Sequence, residues 1–186
     1  TSIFIVFFAI SIGISQNSTT SKDKSVYIFL LHDCVICQSY APYLEELYQN
    51  HQSNFNFIGV FPNFISKEKD IQIFKENYGI SFQTKTDYFK SLTNQFNVTV
   101  TPEVIVYDEV KKEFLYQGRI DDEFFAIGKR KQVVASHDLS NALNGTVAGI
   151  PFNKKTTPIG CFINFEDLIK KWWKDIFITE WPKCVW

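Results

Sequence analysis

Cys34 and Cys37 are separated by two residues in the run Leu31-His-Asp-Cys-Val-Ile-Cys37. A Cys-x-x-Cys spacing supports two chemistries: half of a metal site, or a pair that cycles between dithiol and disulfide. A structural zinc needs two more ligands gathered nearby, but Cys161, Cys184 and the three histidines are scattered along the chain. The local context favours redox chemistry. Ser25–Leu31 is a nearly continuous apolar run of the kind that forms a strand buried on both faces. It ends directly at the cysteine pair, and helical spacing follows. Cys34 is therefore expected at a helix N-terminus, where backbone N–H groups and the helix dipole favour its thiolate and make it the attacking sulfur. Cys37, one turn in, is expected to be more covered and placed to close an intramolecular disulfide. Asp33 opposes the thiolate by its charge, and His32 compensates if it is protonated. Val35 and Ile36 between the cysteines offer no polar donor.

The surrounding elements must hold this pair in place. Tyr40, Leu44, Leu47 and Tyr48 recur at helical spacing and predict a helix running to about residue 50, with Pro42 inside it. Residues 55–61 read as a second strand. Residues 67–78 place Ile71, Phe74 and Tyr78 on one helical face, and Gly79 stops the helix. A shorter helix is expected over 88–96. Val98–Pro102 leads into a third strand over 103–107, a turn at 108–112 leads into a fourth over 113–117, and residues 137–147 read as a last core helix. The order is β-α-β-α-β-β-α, an α/β arrangement with a mixed central sheet and helices on both faces.

The bulk composition excludes other classes. The chain has 186 residues, 45% hydrophobic and 21% charged, with 19 Phe and 8 Tyr. That is material for one packed domain and not for a disordered chain. A formal net charge of −1 gives no basic surplus for nucleic acid. Residues 1–15 carry no charge and suit the apolar part of an export signal, with Gly13 and Ser15 at −3 and −1 from a cut before Gln16. The missing basic leader and the absence of Met are what a truncated front would produce. An exported chain meets an oxidising compartment, so a periplasmic or envelope location is expected. Residues 16–24 read as a flexible lead-in, and 25–163 as the main domain. Residues 164–186 predict an amphipathic helix and tail, with Trp172 and Trp173 on the apolar face and Lys170, Lys171 and Lys174 opposite. That face either covers the domain or docks on a partner or membrane surface.

The element order and the cysteine pair resemble the thioredoxin fold, and residues 25–107 resemble the thioredoxin and redoxin superfamily. From Tyr116 onward the chain resembles, more narrowly, the bacterial peroxiredoxin-like thioredoxin-family proteins. The matching features are Tyr116-Gln-Gly-Arg-Ile-Asp-Asp122, His137-Asp-Leu139 with Ala142-Leu143, then Gly149, Pro151, Thr157 and Gly160-Cys161-Phe-Ile163. The resemblance implies a thiol-based redox protein, often an antioxidant or disulfide reductase, without a cofactor. It also implies that Pro102 is a cis-proline facing the cysteine pair, with the Thr101 backbone left free to pair with an extended client segment beside Cys34. The motif Gly160-Cys161 makes Cys161 a candidate resolving thiol or a partner of Cys184, with a buried inert thiol as the plainer alternative.

These residues point to an exported thiol–disulfide oxidoreductase whose partners are protein disulfide or dithiol clients and a separate redox partner. Three other readings stay open. A thiol peroxidase would use Cys34, although the position three residues before it is Leu31, where a peroxidatic cysteine has Thr or Ser. A copper-handling protein would use the Cys pair with a nearby His, and a non-enzymatic envelope-complex subunit would dock through the Trp-rich tail. Arg119 is expected to pair with Asp121 or Asp122 rather than to serve peroxide chemistry.

Overall fold

The computed structural model describes residues 22–62, 66–150, 152 and 154–163. The apolar run 1–15, most of the lead-in 16–24, the Trp-rich tail 164–186 and Cys184 lie outside the described residues.

Strand β1 (Lys24–Phe29) occupies the middle of the sheet because nearly every residue in it is buried on one face or the other. Its side chains alternate by the pleat. Val26 and Ile28 join one apolar cluster, and Tyr27 and Phe29 join the other. Helix α1 (Val35–His51) follows, then β2 (Asn56–Phe61), α2 (Glu68–Tyr78), β3 (Gln83–Thr86) and the short α3 (Ser91–Gln95). The two-residue β4 (Val100–Thr101) precedes β5 (Glu103–Asp108) and β6 (Glu113–Gly118). A small hairpin, β7 (Phe124–Ala126) and β8 (Lys129–Arg130), leads to α4 (Asp138–Val147), β9 (Lys154–Lys155) and β10 (Cys161–Phe162).

The main sheet has the order β3-β2-β1-β5-β6-β9. It is mixed: β1, β2 and β3 run parallel, while β5 lies antiparallel to both β1 and β6. Helices cover both faces. Ile36, Tyr40 and Leu44 of α1, Ile71 and Phe74 of α2, and Leu139, Ala142 and Leu143 of α4 meet Val26, Ile28, Val104 and Val106 on one side. Leu92 of α3, Phe96 and Val98 meet Phe29, Val60 and Ile105 on the other. Burying each such side chain contributes about 1.5–3 kcal/mol relative to exposure.

The expected elements are present, with ends shifted by a few residues. Helix α2 stops where residue 79 takes the left-handed conformation (φ 68°), which glycine adopts without a Cβ clash. Pro42 lies within α1 and is exposed. Strand β3, the β7–β8 hairpin, β9 and β10 extend the arrangement beyond the sequence expectation. Among the described residues, no helix is long and apolar enough to cross a membrane.

Candidate functional site at the head of helix α1

The cysteine pair follows the C-terminal end of the central strand β1. After β1, the N–H of Leu30 still donates to the carbonyl of Val60 at 2.8 Å, and Leu30 and Leu31 remain buried. The chain then turns through His32 and Asp33, and Cys34 becomes the N-cap of α1 in an extended conformation. The N–H of Cys34 donates to the carbonyl of Leu31 at 3.3 Å, and the Cys34 carbonyl accepts from the N–H of Gln38 at 3.0 Å. The Gln38 side chain closes the turn by donating to the carbonyl of His32 at 2.9 Å.

Cys37 is completely buried one turn into the helix. Burial pushes its thiol up to about 12, and the charge of Asp33 adds to that. The N–H of Leu31, 3.5 Å from Cys37 Sγ, and the hydroxyl of Thr101 act in the opposite direction without reversing it. Cys37 is therefore a neutral thiol at neutral pH.

On the facing loop the Thr101–Pro102 peptide is cis. Thr101 is fully buried, and its carbonyl oxygen lies 3.6 Å from Cys34 Sγ. The two cysteines and Thr101–Pro102 therefore form one cluster, although 67 positions separate Cys34 from Thr101.

The pairings present differ from the sequence expectations at Cys161 and Arg119. The disulfide present joins Cys34 to Cys161, not Cys34 to Cys37, and Cys37 is a free thiol. The cause is strand pairing. Strand β10 lies antiparallel to β4 with Cys161 opposite Thr101, which sets the two cysteine Cα atoms 6.2 Å apart. That spacing falls within the range a disulfide spans. Cys161 is accordingly bonded to Cys34 and not to Cys184. Arg119 pairs with neither Asp121 nor Asp122; its Nε donates to Asp138 Oδ2 at 2.7 Å. Asp121 and Asp122 are taken up locally, Asp121 by the Tyr40 hydroxyl and the N–H of Glu123, Asp122 by Lys131 and the N–H groups of Ala135 and Ser136.

The remaining candidates lie at the margin. His32 is half-buried, with Nδ1 2.8 Å from the hydroxyl of buried Ser66, and Asp33 is exposed. The residue that sequence reasoning placed least securely is Cys161. Its signal was the Gly160-Cys161 motif of the family resemblance. Among the described residues, no group of three or more His, Cys, Asp or Glu is gathered to hold a metal ion.

Comparison with known proteins agrees with this arrangement. Residues 23–113 match the thioredoxin-like family. No curated protein matches the chain in sequence. Among solved structures, a hypothetical protein from Sinorhizobium meliloti superposes with a TM-score of 0.66 at 19% identity, covering 76% of this chain and 79% of that one. An uncharacterized conserved protein from Geobacillus kaustophilus gives 0.66 at 18% identity, with 78% of each chain covered. A secreted disulfide oxidoreductase of Mycobacterium tuberculosis gives 0.48 at 18% identity, over 67% of this chain and 82% of that one. A mixed sheet with helices on both faces, a Cys-x-x-Cys pair at the head of its first helix and the thioredoxin-like family match over 23–113, about half of the chain, together give it a thioredoxin-like α/β fold.

Proposed function

We propose that the protein is an exported thiol–disulfide oxidoreductase acting on protein clients through Cys34 and Cys37. The observation that carries this reading is the placement of Cys34 Sγ. It belongs to the N-cap residue of α1, lies 3.6 Å from the Thr101 carbonyl, and has a buried thiol one turn behind it.

In the reduced protein, the Cys34 thiolate attacks one sulfur of a client disulfide. The Cys34–client bond forms, and the other client sulfur leaves as a thiolate that takes a proton from solvent. Cys37 then loses its proton and attacks Cys34 Sγ. The Cys34–Cys37 disulfide forms, and the second client sulfur leaves reduced. The client gains two electrons and the cysteine pair loses two. A separate dithiol partner resets the pair, and the opposite direction uses the same steps in reverse. Strand β4 supports client binding, since its edge at Thr101 accepts an antiparallel strand in this structure. Leu31, buried and without a hydroxyl, stands three residues before Cys34, and this favours exchange over peroxide reduction. Export rests on the uncharged apolar run 1–15.

The test is insulin-disulfide reduction with dithiothreitol as the terminal reductant. Cys34→Ser is expected to fall to the uncatalysed background. Full activity in that variant would end the proposal.

A further inference from the structure

Building on the oxidoreductase reading, we propose that Cys161 is a third redox thiol of the same site and that residues 159–163 are its resident client, exchanging Cys34 between Cys161 and Cys37. Several independent features seat this segment on the edge a client would use. Strand β10 pairs with β4 in register, Cys161 opposite Thr101 and Phe162 opposite Val100. The N–H of Ile163 extends the pairing by donating to the carbonyl of Thr99 at 3.0 Å, and the Thr101 hydroxyl donates to the Cys161 carbonyl at 3.4 Å. The cysteine is anchored on both sides: Ile159 packs against one apolar cluster and buried Ile163 joins the other. Gly160 is required for this fit. A Cβ there would stand 1.9 Å from the Thr101 carbonyl oxygen and 3.1 Å from the nitrogen of Pro102. The chain thus approaches the Thr101–Pro102 loop more closely than any side chain permits, and the next residue bonds Cys34.

The exchange balances without an outside reagent. Cys37 gives up its proton and attacks Cys34 Sγ. The Cys34–Cys37 bond forms, the Cys34–Cys161 bond breaks, and Cys161 leaves as a thiolate that takes up a proton. One disulfide replaces another, so there is no net oxidation. The high pKa of Cys37 slows this step and lets the Cys34–Cys161 form persist. In that form both the attacking sulfur and the pairing edge are occupied. An external client gains the edge only after Cys161 is released and β10 leaves β4. Conversely, when Cys34 carries a client, Cys161 provides a second route to release it. Tethered and aligned, it competes with outside thiols at an effective concentration of about 1 mM or more.

The test maps all four cysteines in the full-length chain. Reduced protein is placed in a glutathione redox buffer, quenched with acid, alkylated and analysed by peptide mass spectrometry. The unmutated protein is expected to give Cys34–Cys161 and Cys34–Cys37 bonds that interconvert, with Cys184 alkylated. Cys37→Ser is expected to close as monomeric Cys34–Cys161. Adding Gly160→Val to Cys37→Ser keeps the thiol but displaces the strand, and is expected to lower that bond by about tenfold or more in favour of glutathione on Cys34. Two results would overturn the proposal: glutathione on Cys34 beside a free Cys161 in Cys37→Ser, or a Cys161–Cys184 bond in the unmutated protein. Insulin reduction by Cys34→Ser is measured in parallel. If activity is lost there while the mapping fails, only the role of Cys161 falls. If activity is retained, the oxidoreductase reading falls with it.

Discussion

The head of α1 and the start of α4 both bury groups that titrate, and they treat them in opposite ways. At α4, Asp138 is fully buried and takes Arg119 Nε at 2.7 Å, Lys154 Nζ at 2.8 Å and the Ser136 hydroxyl at 2.8 Å. Nearby Asp122 is equally well supplied, by Lys131 and two backbone N–H groups. Burial opposes the charge of Asp138, but these donors outweigh it and hold the carboxyl below its usual range. At α1, buried Cys37 has one backbone N–H at 3.5 Å, the hydroxyl of Thr101 and, among the described residues, no cation. A carboxylate tolerates burial only with partners that keep it charged, whereas a thiol tolerates it by staying neutral. The first arrangement fixes structure. The second leaves a sulfur free to change its bond.

Chemistry and stability should therefore separate between the two regions. The largest expected effect is on activity: Cys34→Ser abolishes insulin reduction, whereas Asp138→Asn retains it in the folded fraction. Equal losses in both would erase the distinction.

Next is the pH dependence of exchange at Cys34. Cys37 reacts as a thiolate, and its thiol stands at about 12. Below that value the thiolate fraction grows with pH, so conversion of Cys34–Cys161 to Cys34–Cys37 should accelerate about tenfold per unit between about pH 7 and 9. Quenched alkylation time courses measure this, and a flat profile would contradict it.

Asp138→Ala should cost about 2–3 kcal/mol in urea unfolding, at or below the low end for removing one partner of a buried pair, because Arg119 and Lys154 reach solvent. Since the folded value of Asp138 is lowered, its contribution is present above the unfolded carboxylate value of about 3.9 and is lost as pH falls through the folded value. The acid loss of stability should be smaller in Asp138→Ala. The smallest effect belongs to Phe162→Ala: this side chain is 76% exposed on β10, and stability should change by about 0.5 kcal/mol or less.

The position of the cysteine pair was more legible in the sequence than its wiring. The apolar run 25–31 ending at Cys34, and the helical spacing after it, locate the N-cap cysteine because burial on both faces leaves a continuous signature. Strand β3 was missed because Gln83–Thr86 is a polar edge that pairs only with β2. Strands β9 and β10 have two residues each and are defined by their partners, so no local period announces them. The Cys34–Cys161 bond spans 127 positions and depends on the register of β10 against β4. Arg119 was assigned to its sequence neighbours, while the carboxylate that holds it is 19 positions away at the head of a helix.

The central claim is that Cys34 is the sulfur that attacks a client. It is tested most directly by trapping on the double variant Cys37→Ser/Cys161→Ser, which removes both groups placed to release a client. Reduced double variant is mixed with a peptide containing a single disulfide, quenched and mapped by mass spectrometry. The account predicts a stable mixed disulfide at Cys34, whereas Cys37→Ser alone releases the peptide and closes Cys34–Cys161. An adduct at Cys184, or no adduct on a folded double variant, would contradict it.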